Sequence, residues 1–214
     1  MKSKFCVLFG LDEVLIDTES QYNTIWKHLG DKYGAETGNI EMIVSEKSLH
    51  TILTKYFSHL SNEEKQELTK NLKAEEAQFR FHEVKGVGSF IKNLKDNGVK
   101  IGLVTNLTQS QLQKVFEETQ FDKKMDTIVS VEIIEKFHSK MNPFQLAAKE
   151  LGYEASECFV FENSLNAIET AHLSGMKVIA LAGAHPKGEL KNNTVKVIND
   201  FSGFTFDKLK ELAK

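Results

Sequence analysis

The chain has 214 residues, of which 41% are hydrophobic, so it is long enough to form one sizeable core and an inserted subdomain. Its formal charge of −3, from 27 basic and 30 acidic residues, provides no broad basic surface for nucleic acid or anionic lipid. The sequence has no run of about 18 apolar residues, the length that a membrane helix requires, so we expect no membrane association.

Short apolar runs rich in Val, Ile and Phe alternate with helical patterns along most of the chain. This alternation is typical of a parallel sheet with helices on both faces, and it predicts an α/β, Rossmann-like fold. The predicted strands are residues 4–9, 99–105, 127–130, 158–161, 177–181 and 195–198. The predicted helices between them are residues 87–97, 110–118, 142–151 and 166–174. Three of these helices are followed by a glycine suited to a left-handed helix end, namely Gly98, Gly152 and Gly175.

Residues 18–81 interrupt this alternation directly after the first predicted strand. They contain only amphipathic helical patterns, for example at residues 21–32 and 49–60. We therefore predict a helical domain at residues 18–81, inserted into an α/β core domain made of residues 1–17 and 82–214.

The two cysteines, Cys6 and Cys158, both fall inside predicted strands. This placement favours reduced, buried thiols over a disulfide framework. We therefore expect a cytoplasmic protein.

Residues 9–19 read Phe-Gly-Leu-Asp-Glu-Val-Leu-Ile-Asp-Thr-Glu and begin at the last residue of the first predicted strand. The segment resembles the opening motif of the haloacid dehalogenase (HAD) superfamily, in which a buried strand ends in Asp-x-Asp. The first carboxylate of that motif attacks phosphorus and binds Mg²⁺, and the second acts as general acid and base. Here the nucleophile position is Gly10 and the acid/base position is Asp12. The resemblance therefore implies that the nucleophile is lost.

Three further segments resemble the other motifs of the β-phosphoglucomutase-like branch of that superfamily, in the same order. Residues 101–106, Ile-Gly-Leu-Val-Thr-Asn, place Thr105 and Asn106 at the phosphate-binding position. In residues 130–148 the position of the family's lysine is His138, with Lys140 two residues further on. The helical insertion lies where the resemblance implies a four-helix cap that closes over the site and selects the substrate.

The fourth segment, residues 158–169, concerns the metal site. Glu162 is retained, whereas the aspartate that completes the magnesium site in the family is replaced by Asn163. Mg²⁺ prefers anionic oxygen ligands, and two of the expected carboxylates, at positions 10 and 163, are missing. We therefore expect no cofactor, with Mg²⁺ as the ion to be bound if any site persists.

These replacements are electrically consistent, because a lysine retained after loss of the aspartates would be an unpaired buried charge. They favour natural loss of activity over a single engineered change at position 10. The leading hypothesis is a pseudoenzyme that binds a small phosphorylated molecule or a protein partner. Two alternatives remain open: an active Mg²⁺-dependent phosphatase acting on a sugar phosphate or nucleotide, and a structural or regulatory partner whose pocket has filled in.

Overall fold

The computed structural model describes residues 4–34, 49–130, 132–133, 141–183 and 187–213. The chain divides into two compact units, one made of Met1–Asp17 with Phe81–Lys214 and the other of Thr18–Arg80. The strands in chain order are β1 (Cys6–Phe9), β2 (Ile16–Asp17), β3 (His82–Glu83), β4 (Ile101–Val104), β5 (Thr127–Val129), β6 (Cys158–Glu162), β7 (Lys177–Leu181) and β8 (Lys196–Ile198). The helices are α1 (Glu19–Tyr33), α2 (Leu49–Tyr56), α3 (Asn62–Glu76), α4 (Val87–Asp96), α5 (Gln109–Thr119), α6 (Pro143–Leu151), α7 (Leu165–Leu173), α8 (Lys187–Leu190) and α9 (Phe206–Glu211).

The larger unit is built on a six-stranded parallel sheet with the order β5-β4-β1-β6-β7-β8. The first strand of the chain is therefore central, with β4 on one side and β6 on the other. This arrangement confirms the predicted α/β, Rossmann-like fold. A short antiparallel pair, β2 with β3, lies where the chain leaves this unit and returns to it.

The central strands are buried because their side chains alternate between two apolar layers. In β1, Val7 and Phe9 belong to the layer that contains α4, whereas Cys6 and Leu8 belong to the layer that contains α6. The first layer is rich in phenylalanine, and the rings of Phe9 and Phe161 stack with their centroids 5.1 Å apart. Burial on both faces explains why these strands read as continuous apolar runs in the sequence.

The predicted helix ends agree with the backbone. Gly98, Gly152 and Gly175 have φ angles of 69°, 76° and 84°, which are left-handed values that glycine adopts at little cost. The predicted strand at residues 177–181 matches β7, while the strand predicted at 4–9 is shorter and begins at Cys6.

The smaller unit contains α1, α2 and α3 among its described residues. Trp26 of α1 is buried and lies against Phe57, with the ring centroids 6.1 Å apart. The helix predicted at residues 49–60 ends earlier, at Tyr56, because a turn at Phe57 leads to Ser61, which begins the next helix. The fourth helix implied by the resemblance is not among the described elements, and residues 35–48 lie outside the described ranges. None of the helices within those ranges has the length and apolar character needed to cross a bilayer.

Candidate functional site

The candidate site lies at the edge of the sheet where the parallel strands end. The order in which strands are added to the sheet reverses at β1, because β4 and β5 lie on one side of it and β6 to β8 on the other. Ligands of open α/β sheets bind beyond the carboxyl ends of the strands at such a reversal. The residues that follow the four strand ends here are Gly10, Thr105, Ser130 and Asn163.

Gly10 and Glu162 are neighbours at this edge. The register pairs Phe9 with Phe161, and the Gly10 N–H donates to the Phe161 carbonyl oxygen over 2.9 Å. A β-carbon at position 10 would lie 2.8 Å from Cδ of Glu162 and would also press against its Oε1. Carbon atoms in favourable contact are about 3.5–4.0 Å apart. The Glu162 side chain therefore fills the space that a side chain at position 10 would need.

The Glu162 carboxyl group is held in this place by the backbone that follows it. Its Oε2 accepts the N–H of Asn163 at 2.9 Å and that of Ser164 at 3.2 Å. Burial raises the pKa of this carboxyl to about 7, the nearby Asp12 adds to the rise, and the two amide hydrogen bonds oppose it. Near neutral pH the group is consequently divided between its neutral and charged forms.

Asp12, the residue predicted at the acid/base position, lies in a tight turn after β1. The turn is closed by several backbone hydrogen bonds, among them Glu13 N–H to the Ile16 carbonyl at 2.7 Å. Asp12 is half-buried, and its backbone forms an isolated β-bridge with that of Ile16. Glu13 has a φ of 57°, in the left-handed region where glycine is favoured.

Thr105 and Asn106 differ in their exposure to solvent. Thr105 is buried, its N–H donates to the Val129 carbonyl, and its hydroxyl oxygen accepts the Leu107 N–H at 3.2 Å. Asn106 is exposed. Neither residue caps the following helix, because α5 begins with a capping box between Thr108 and Gln111.

Glu132 also lies at this edge of the sheet, although no sequence motif predicted it as a site residue. Its carboxylate accepts the N–H of Gln109 at 2.8 Å, at the start of α5, and the hydroxyl of Ser130 at 3.1 Å. The Gln109 hydrogen bond is the main reason that the pKa of Glu132 lies below its usual value. An acid two residues after a predicted strand end was the signal available. The residue predicted at the family's lysine position, His138, lies outside the described residues.

The donor set does not fit Mg²⁺. Among the described residues, no three His, Cys, Asp or Glu side chains are grouped so that they could hold a metal ion. Gly10 and Asn163 offer no carboxylate, and one oxygen of Glu162 already accepts two amides. Mg²⁺ is usually held through anionic oxygens in near-octahedral geometry, which these residues do not supply.

The comparisons with known proteins agree with the fold. The model of the haloacid dehalogenase-like hydrolase family matches residues 7–181. The chain therefore belongs to this family, whose members generally use Mg²⁺.

One relative is the bifunctional riboflavin kinase/FMN phosphatase of Arabidopsis thaliana, 24% identical over 97% of this chain and 56% of that protein. Among solved structures, a HAD family hydrolase from Deinococcus radiodurans, with bound phosphate and sodium, covers 97% of this chain and 95% of its own at a TM-score of 0.78 and 16% identity. The β-phosphoglucomutase of Clostridium difficile covers 100% and 97% at a TM-score of 0.70 and 18% identity. The chain thus shares the fold of these two solved structures.

Proposed function

We propose that this chain is a haloacid dehalogenase-like protein that has lost phosphoryl transfer and acts as a binding or regulatory protein. The observation that carries the proposal is Gly10. It stands at the nucleophile position of the opening motif, at the end of the central strand, and it has no side chain with which to attack phosphorus.

The size of the expected loss supports this proposal. Loss of a single electrostatic donor typically costs about 10²–10³ in rate, and a metal ion contributes several kcal/mol of charge stabilisation. Here the nucleophile is missing and the donor set around Glu162 is a poor one for Mg²⁺. The two deficits act on the same step, so turnover of a phosphomonoester is expected to be near background.

The second candidate is an active phosphatase that uses water in place of the aspartate, on a sugar phosphate or a nucleotide. It is favoured by the retention of Asp12 and Thr105 and by the phosphatase names of relatives such as the phosphorylated carbohydrates phosphatase of Thermotoga maritima. In this case Asp12 would be essential.

The experiment that separates the two candidates is an assay of the purified chain with para-nitrophenyl phosphate and Mg²⁺. We expect no turnover above a heat-inactivated sample. Turnover that is lost in Asp12→Asn but kept in Asp122→Asn, which removes an exposed acid in the same unit, would refute the proposal.

A restoration experiment tests the reason for the loss. The triple variant Gly10→Asp, Asn163→Asp, His138→Lys returns the family's residues at the three altered positions. If the loss lies in these three groups alone, this variant gains Mg²⁺-dependent turnover, whereas Asn163→Asp with His138→Lys alone stays inactive.

We also propose that the protein acts in the cytoplasm, where Cys6 and Cys158 would remain reduced. Both cysteines are free and buried, which supports this proposal. A small phosphorylated molecule and a protein remain the two candidate partners from the sequence, with no role for nucleic acid or membrane.

A further inference from the structure

We propose that Glu162 determines the ligand specificity of this site, because its side chain fills the space beside Gly10 and thereby excludes a phosphate group. This inference deepens the proposed function and rests on it, since it takes position 10 to perform no chemistry. Of the two candidate partners, a small phosphorylated molecule and a protein, it disfavours the first wherever that molecule would place its phosphate at this edge.

The first argument is spatial. Gly10 and Glu162 come from adjacent strands, and the Glu162 carboxyl group lies so close to Gly10 that a β-carbon at position 10 would require it to shift. Glu162 is 8% exposed as a residue, so it lies within the protein and not along its surface. A phosphate group that is placed next to Gly10 would have to displace it.

The second argument concerns hydrogen-bond donors. Phosphate is commonly bound by backbone N–H groups at a loop or at the start of a helix. The N–H groups of Asn163 and Ser164, just before α7, already donate to Glu162. At the start of α5, Glu132 accepts the N–H of Gln109 in the same manner. The chain's own carboxyl groups therefore occupy donors at the ends of two strand–helix connections.

The third argument is electrostatic. A charged Glu162 would repel a phosphate dianion in a buried environment where such repulsion is weakly screened. A neutral Glu162 would still occupy the same volume. Exclusion by filled space therefore operates in either form of the carboxyl group.

Binding of inorganic phosphate, measured by isothermal titration calorimetry, tests the proposal directly. We expect no detectable binding to the wild-type protein or to Glu162→Gln, which keeps the size of the side chain. Glu162→Ala should bind phosphate at least about tenfold more tightly, because both the space and two backbone donors become accessible. The proposal is overturned if the wild-type protein binds phosphate as tightly as Glu162→Ala, or if the glutamine variant gains as much as the alanine variant.

A double-mutant cycle tests the same contact without any ligand. Gly10→Ala should lower the melting temperature by roughly 5 °C in the wild-type background, as expected for overpacking. The loss should largely disappear in the Glu162→Ala background, because the clashing atoms are gone. Glu162→Asp, which withdraws the carboxyl by one carbon, serves as a second background if the alanine variant does not fold. Equal losses in all backgrounds would overturn the proposal.

Gly102→Ala is the matched control for this cycle. Its β-carbon would lie 2.8 Å from Cδ2 of Leu8, on the neighbouring strand and away from Glu162. Gly102→Ala should therefore lower the melting temperature by the same amount in every Glu162 background.

Phosphate binding to the wild-type protein without turnover overturns this inference and leaves the proposed function intact. Turnover of the phosphomonoester refutes the proposed function, whatever the result of the cycle.

Discussion

The Sγ atoms of Cys6 and Cys158 lie 3.2 Å apart, where β1 and β6 pair directly through these two residues. The Cys6 thiol donates to Cys158, and the Cys158 thiol can donate to the carbonyl oxygen of Glu154, also at 3.2 Å. The contact with Cys158, followed by burial, raises the pKa of the Cys6 thiol far above its ordinary value. The reactive thiolate of Cys6 is therefore strongly disfavoured in the folded protein.

We predict that both native thiols react with iodoacetamide at least about a thousandfold more slowly than unfolded thiols, because labelling requires opening of the core. Mass spectrometry of timed samples, with and without urea, measures this ratio. The exposed position Ser58→Cys is the control and should react at once in the native protein. Native labelling of Cys6 or Cys158 at the rate of this control would contradict the prediction.

The stability of the protein should fall as pH rises through neutrality because of Glu162. Its folded pKa of about 7 lies above the ordinary value of 4.5, so the folded state binds a proton that the unfolded state releases. The favourable contribution is full below about pH 4.5 and is lost as pH rises through 7, by about 3 kcal/mol in total. Urea unfolding between pH 5 and pH 8 measures this slope.

Glu162→Gln should flatten that slope, because glutamine does not titrate. Asp12, whose charge contributes to the raised pKa, remains in this variant. Glu63→Gln, at an exposed position on α3, removes one acid elsewhere and should leave the slope unchanged. An identical pH dependence of wild type and Glu162→Gln would show that the burial of this carboxyl is not reflected in stability.

Glu13→Gly should stabilise the protein by up to about 1 kcal/mol. The left-handed backbone costs a residue with a β-carbon about 1–2 kcal/mol, and the extra freedom of glycine in the unfolded chain offsets part of the gain. Ala77→Gly is the control, because Ala77 is exposed and has a φ of −65°, which places it in the ordinary helical region. Denaturant unfolding should show a gain at position 13 and a loss at position 77.

The capping boxes should contribute measurably to the helices that they begin. In α3, Ser61 Oγ accepts the Glu64 N–H, and Glu64 Oε2 accepts the Ser61 N–H at 2.8 Å. Ser61→Ala should cost about 1 kcal/mol of the free energy of unfolding, since it leaves a helix-end N–H without its side-chain acceptor. Ser58→Ala, in the turn before this helix, is the control, and an equal effect of the two changes would contradict the assignment.

The sequence predicts the sheet well because strands that are buried on both faces are continuous apolar runs. Residues 177–181 are one such run, and β7 has those bounds. Boundaries that depend on side-chain caps are less well predicted. The helix expected from residue 110 begins at Gln109, because the capping box between Thr108 and Gln111 fixes its start. The helix expected to end at residue 60 ends at Tyr56.

The relationship between Gly10 and Glu162 could not be obtained in this way. It depends on the register of two strands that are about 150 residues apart in the chain, and a single sequence contains no signal for that register. The family motifs placed both residues at the site, but they assigned Glu162 to a metal and not to the space beside Gly10. The roles of Asp12, Thr105, Asn106 and Asn163 remain predictions, and His138 lies outside the described residues.

The contact between Gly10 and Glu162 also bears on evolutionary history. With Glu162 in its present place, a mutation that put aspartate at position 10 would meet an occupied position. The effect of that codon change would therefore depend on the residue at position 162, which is epistasis between two adjacent strands.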